Sequence, residues 1–245
     1  MTIFKDFTED NYRNIIKTVQ KEYKFYSFKH ARIENRYKEK HVLWRHDIDM
    51  SPHRAARIAQ IESEEDIRST YFLHLHSSFY NLFEESPLEK IYSIIDCGHE
   101  IGLHFDIGFY QQVMPDLNAL LMIQEETKFI LDWLYINPTS ISFHNPSLQK
   151  TDIPNSDFIC GLKNAHSLFI RQNYTYCSDS NSVWNHNPLE DAIEDEHPRI
   201  HVLTHPEWWT DVPMSRHEKV ERCIVGRCED QRRRYNLLME DVYGK

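Results

Sequence analysis

The sequence predicts an α/β fold built on a mainly parallel sheet. Stretches rich in β-formers alternate with stretches of helical apolar spacing between residues 41 and 205, the pattern of βαβ units. Nearly every predicted strand ends in His or Asp, at the end where parallel α/β folds gather functional residues. No GxGxxG or GxxxxGK[ST] follows any strand, which removes the main support for a dinucleotide or P-loop site. Six recognisable strands fit either an open doubly wound sheet or a small, incomplete (β/α) barrel.

The elements follow in order. Residues 8–22 read as an amphipathic helix: Thr8 caps it, Glu9 and Asp10 suit its first turn, and Tyr12, Ile15, Ile16 and Val19 form its apolar stripe. Residues 23–40, rich in Lys, Arg and Tyr, suit a covering segment over one barrel end. HVLWRHDID (41–49) is a strand, and Pro52 opens a helix over 52–65 that carries Ala55, Ala56, Ile58, Ala59 and Ile61. STYFLHLH (69–76) is the next strand. Residues 87–97 form a short helix with Gly98 just past its end. HEIGLHF (99–105) is a strand, and Pro115 opens a long helix to about Tyr135. TSISFH (139–144), YTYCSD (174–179) and RIHVLTH (199–205) are strands. Pro213 precedes a last helical run, 214–242, which Gly226 divides. The basic run Arg232, Arg233 and Arg234 on it reads as a solvated face.

Composition narrows the classes. The chain has 245 residues, 40% of them hydrophobic and 13% aromatic, enough for a sizeable core and against disorder. Without repeats, low-complexity tracts or an obvious linker, it reads as one domain over 1–245. Residues 1–40 are the N-terminal helix and covering segment, 41–210 the barrel core, and 211–245 a C-terminal helix. A formal net charge of −10 argues against nucleic-acid partners. No run approaches the ~18 apolar residues of a membrane span, and the first residues carry charges instead of a signal-peptide h-region. Five cysteines, odd in number and without CxxC, suit reduced thiols and a cytoplasmic setting.

Fifteen histidines are an excess that asks for a location. His46, His74, His76, His104, His144 and His205 sit at strand ends, with Arg45, Asp47, Asp49, Asp106, Asn145, Asp179, Thr204 and Glu207 beside them. A single such His is commonly a satisfied hydrogen-bonding residue; six strands ending alike point to a site. His and Asp on one rim suit a divalent metal such as Zn²⁺. Asp47 and Asp49 lie two apart on a strand and so face one side. One can bind a metal while the other takes a proton from a metal-bound water. Helix capping explains Asp49 but not Asp47.

RHDID (45–49), GHEIGLHFD (98–106), SFHNPS (142–147), CSDS (177–180) and LTHPEWW (203–209) resemble, in order, the motifs of the NodB-like polysaccharide deacetylases. The resemblance spans about residues 41–210, and GHEIGLH carries it most specifically. It implies a distorted, incomplete (β/α)7 barrel of parallel strands with outer helices, and a metal-dependent hydrolase that removes acetyl groups from N-acetylated sugars. Asp47 then resembles the catalytic base, Asp49 the metal aspartate, His104 the first metal histidine and His205 the general acid. Asp179 and Trp184 fall where the family places a further Asp and an aromatic of the pocket wall. Trp208 or Trp209 offers a face for a sugar.

Ile48 separates two aspartates that are usually adjacent, a spacing also seen in some deacetylase-like subfamilies. Two departures stand out. The second metal histidine, four residues after the first, is replaced by Gly108, which leaves His144 or Asp106 as the third ligand. His144 itself stands where many members carry an arginine that steadies the base. The implied substrate is an intracellular N-acetylated sugar, nucleotide- or lipid-linked, on the way to a surface polysaccharide, and the implied cofactor is zinc. Two other readings stay open: a metal-dependent amidase on a cyclic amide or formamide, and a non-catalytic deacetylase-like sugar binder.

Overall fold

The computed structural model of the chain describes residues 6–31, 39–116, 118–146 and 153–244. Helix α1 (Glu9–Gln20) is capped by Thr8, whose hydroxyl accepts from Asn11 N–H, and it buries Tyr12, Ile15, Ile16 and Val19. A short strand, β1 (Lys24–Tyr26), runs parallel to the first half of β2 (His41–Ile48). Helix α2 (Pro52–Glu64) starts at Ser51, with proline in its first turn where no N–H partner is missed. There follow β3 (Thr70–Leu73), α3 (Glu85–Asp96) and β4 (Glu100–Phe105).

The next stretch departs from expectation. In place of one helix opened by Pro115 there are two: α4 (Ile107–Val113), capped by Asp106, and α5 (Ala119–Trp133), capped by Asn118. Side-chain oxygens that satisfy free N–H groups set these starts, and Asp106 gives the chain a helix directly after β4.

β5 (Ser140–Phe143) leads to a hairpin of β6 (Phe158–Ile159) and β7 (Leu162–Asn164). Cys160 and Gly161 at its tip both have positive φ (50° and 85°), as a two-residue turn between twisted strands requires. Next come α6 (Leu168–Asn173), β8 (Thr175–Ser178), β9 (Asn185–His186), α7 (Leu189–Glu194) and β10 (Arg199–Thr204). The last element, α8 (Arg216–Tyr243), begins with a Ser215/Glu218 capping box and runs unbroken through Gly226.

The strands form one sheet in the order β6-β7-β5-β4-β3-β2-β10-β8-β9, with β1 beside β2. All pairs are parallel except the hairpins β6/β7 and β8/β9 at the two ends. The sheet curls into a half-barrel, and among the described residues it does not close between β7 and β8. The outward faces of β2 and β10 pack under α1 with Trp44, Val42, Ile200 and Val202. The faces of β3 to β5 pack under α2, α3 and α5. Inside, Phe28 from a 3₁₀ turn (Phe28–His30) meets Leu43, Phe72, Ala165 and Ile170 and plugs the barrel floor. Of the covering segment expected over 23–40, residues 32–38 lie outside the described residues.

Candidate metal and acid–base site

The carboxyl ends of β2, β4, β5 and β10 converge over this plug. Inward-facing positions two apart on β2 deliver Arg45 and Asp47, with Asp49 following just past the strand end. β4 delivers His104, β5 is followed by His144, and β10 by His205.

Asp49 Oδ1 is buried and has no hydrogen-bond partner. It stands 3.3 Å from His104 Nε2 and 3.5 Å from His144 Nδ1. The two imidazole nitrogens are themselves 3.3 Å apart. Ligand atoms about 2.0–2.1 Å from Zn²⁺ at tetrahedral angles stand about 3.3 Å apart, so one O and two N atoms occupy a face of that tetrahedron. The geometry brings His144 to this triangle. It does not bring Asp106, the other expected third ligand: that carboxylate caps α4 through Phe109 N–H at 3.1 Å and sits 3.4 Å from His74 Nε2.

His74, a strand-end histidine without an expected task, stacks on His144 at 4.4 Å and has neither ring nitrogen hydrogen-bonded. Ligand atoms of Asp49, His74 and His144 also lie within 4.8 Å of one another, so His74 is a further donor beside the triangle. Burial pushes its imidazole down, toward the neutral form a metal requires.

Asp49 holds its proton weakly. Burial opposes its charge, but His104, His144 and His205 around it keep its carboxyl well below the usual range. Asp47, 3% exposed, approaches the same space without joining the triangle. Its Oδ2 lies 3.4 Å from Arg45 and 3.6 Å from His104 Nε2, and its Oδ1 lies 3.4 Å from Ser142 Oγ.

Across the site, His205 Nδ1 is 2.7 Å from Asp179 Oδ1, while Nε2 points at Asp49 Oδ2, 3.8 Å away. Burial works against the imidazolium; the hydrogen bond to Asp179 and the charges of Asp179 and Asp49 outweigh it and lift the His205 pKa to about 10. Glu207 beside it is buried with both oxygens unpartnered, and burial pushes its carboxyl up to about 8.

Two expected substrate contacts lie elsewhere. Asp179 is fully buried and accepts from His205 N–H and Trp209 Nε1–H as well as from the His205 ring; it holds His205 and does not reach the cleft. Trp208 is 5% exposed and packed in the core under α1, so it has no free face for a sugar. Trp209 is fully buried, and Trp184 packs 6.3 Å from both Phe7 and Trp209. The 3₁₀ turn after β10 (Pro206–Trp208) folds these rings back onto the hydrophobic side of the sheet.

The cleft over the triangle has a volume of about 340 Å³. Asp47, Asp49, His104, His144 and His205 line it together with Phe143, Ile170, Tyr174 and Tyr176. A larger cavity of about 740 Å³ lies between α2, α3 and α8, away from these groups.

No protein-family model matches the chain, and no curated protein matches it. Solved structures overlay on it loosely. The catalytic domain of a peptidoglycan N-acetylglucosamine deacetylase from Eubacterium rectale ATCC 33656 gives a TM-score of 0.47 at 13% identity, over 82% of this chain and 90% of that one. A polysaccharide deacetylase from Bacillus cereus gives 0.43 at 13%, over 79% and 89%. A CE4 family pseudoenzyme from Bacillus anthracis gives 0.41 at 16%, over 79% and 62%, so the chain spans less than two thirds of that protein. The likeness is to CE4 polysaccharide deacetylases, a pseudoenzyme among them.

Proposed function

We propose that the chain is a metal-dependent hydrolase that removes the acetyl group from an N-acetylated sugar. The observation that carries this reading is the Asp49–His104–His144 triangle with two further groups beside it: Asp47, 3.6 Å from His104, and the Asp179-held His205, 3.8 Å from Asp49. A binding site alone needs no base and acid flanking its ligand set.

Asp49, His104 and His144 would hold the ion, with His74 as a further donor. Zn²⁺ there would bring the pKa of a bound water down toward about 7 and draw charge from the acyl oxygen. His104 donates from Nδ1 to Ser142 Oγ at 2.6 Å, which leaves the Nε2 lone pair facing the triangle. Asp47 accepts the proton of the attacking water as the C–O bond forms. His205 donates from Nδ1 to Asp179 and carries its transferable proton on Nε2. It passes that proton to the amine nitrogen as the C–N bond breaks, so a neutral amine leaves. The cleft has the size of a small-ligand site, and half-buried Tyr176 in its lining suits a sugar face. A nucleotide- or lipid-linked amino sugar of surface polysaccharide synthesis is the substrate this reading favours. Among the described residues no helix is long and apolar enough to cross a membrane.

The test joins metal analysis to a substrate panel. Purified protein is expected to bind about one divalent ion per chain, to lose it in Asp49→Ala and to keep it in Asp47→Asn. Acetate release from N-acetylated sugars should fall at least ~10²-fold in both variants. Turnover of a small formamide or cyclic ureide without acetate release would move the reading to another amide. A wild-type chain that cannot be loaded with metal would leave a sugar binder.

A further inference from the structure

Arg45 stands out among the groups that the reaction does not use. It is 1% exposed, and a buried guanidinium needs a counter-charge. Among the described residues Asp47 supplies the one carboxylate in ion-pair reach, 3.4 Å from Arg45 Nη2 to Asp47 Oδ2. Arg45 Nε is buried without a hydrogen-bond partner, but two further contacts hold the group. Its Nη1 lies 3.2 Å from His166 Nε2, and its carbon sits over the Phe72 ring at 5.4 Å. Burial, and then the Arg45 charge itself, keep the imidazole of His166 well below its usual value. A neutral His166 can therefore accept from Nη1–H, provided its own proton is on Nδ1.

The plane of the guanidinium is fixed from three sides, and the Asp47 carboxylate with it. Oδ2 is tied to Arg45, while Oδ1 faces the hydroxyl of Ser142. This matters because Asp47 Oδ2 is only 3.6 Å from His104 Nε2, little more than the spacing within the triangle itself. A small rotation would make Asp47 a fourth ligand in place of a free base.

We infer that Arg45 is the positioning residue of Asp47: it holds that carboxylate back from the Asp49–His104–His144 triangle, and this is how two aspartates two residues apart take different tasks. Naming Asp47 the base rests on the hydrolase reading above. The Arg45–Asp47 pairing does not, and the experiment separates the two.

Arg45→Met, Asp47→Asn and the double variant form a thermal-unfolding cycle with the wild type. Arg45→Met should lower Tm by several degrees alone and by much less in the Asp47→Asn background, where no buried anion needs a cation. Equal losses in both backgrounds would overturn the assignment. If Arg45→Met does not fold, Arg45→Gln and its Asp47→Asn double take its place in the cycle. With metal loaded and penta-N-acetylchitopentaose as substrate, Arg45→Met should lose ~10²-fold in kcat with KM within about threefold. Arg45→Lys, which keeps the charge, should recover a large part of that loss. An unchanged kcat, or a loss confined to KM, overturns the positioning role. If the wild type releases no acetate from any acylated sugar, the hydrolase reading fails. The cycle, together with the Asp47 carboxylate orientation in a crystal structure of Arg45→Met, then decides the pairing: a carboxylate that keeps its place without its cation overturns it.

Discussion

Ser142 Oγ lies 2.6 Å from His104 Nδ1 and 3.4 Å from Asp47 Oδ1, so one hydroxyl on β5 touches both a ligand candidate and the base. With His104 donating from Nδ1, the Ser142 hydrogen is free to turn to Asp47. The hydroxyl thus selects the tautomer of one group and orients the other.

Ser142→Ala should therefore weaken metal binding by about 10- to 100-fold, the usual cost of losing an outer-shell partner of a ligating histidine. Competition of the variant against a chromophoric chelator measures this directly. An affinity equal to that of the wild type would mean that Ser142 does not set the His104 tautomer.

Asp179 holds the His205 ring at 2.7 Å. Asp179→Asn should lower kcat by ~10²-fold or more while metal content stays at the wild-type level. The pH profile carries the sign. The folded His205 pKa is raised, to about 10, so its donor form is present below that pH and is lost above it. Removing the Asp179 charge lowers that pKa, and the alkaline limb of kcat should move to lower pH. A limb that stays in place would assign it to another group.

Glu62 on α2 is a buried hub outside the barrel. It accepts from Tyr12 at 2.6 Å, Ser69 at 2.6 Å and Tyr71 at 2.8 Å, and pairs with His46 at 2.9 Å. Glu62→Ala strands these donors and should cost about 3–5 kcal/mol in chemical unfolding. Burial raises the Glu62 pKa, but His46 and His99 and its hydrogen bonds bring it to about 2. A depressed folded pKa gives stability that is complete above the unfolded value near 4.3 and lost as pH falls toward 2. Glu62→Gln should flatten the stability–pH curve across that window.

Gly102 on β4 has no room for a side chain. A Cβ there would stand 2.6 Å from the Phe72 ring and 2.8 Å from Ser140 Oγ. Gly102→Ala should destabilise by about 1–3 kcal/mol, roughly 2–4 °C of Tm for each. Phe72 also lies under Arg45, so the same change should disturb the base.

Much of this was legible in the chain itself. The period of two in RHDID places Arg45 and Asp47 on one face with Asp49 beyond them, and GHEIGLH and SFHN place His104 and His144 at neighbouring strand ends. The same period places Arg45 at the rim. Asp179 and Trp208 depart from expectation because position after a strand does not say which way a turn folds. That is decided by Phe7 and α1, which draw the tryptophans into the core. Strands β6, β7 and β9 are two or three residues long, too short for any alternation to show.

β2 has chemistry on both faces. Inward are Arg45 and Asp47; outward, His46 is hydrogen-bonded to Thr204 at 2.7 Å and tied to Glu62, and Trp44 is fully buried under α1. A slip of one residue in this strand would turn an arginine and an aspartate into the oily layer beneath α1 and bring an indole to where the guanidinium belongs. The penalty falls on both sides at once. The strand thus carries its own reading frame: the residues that do the chemistry and those that anchor the helices proofread each other's alignment as the sheet assembles.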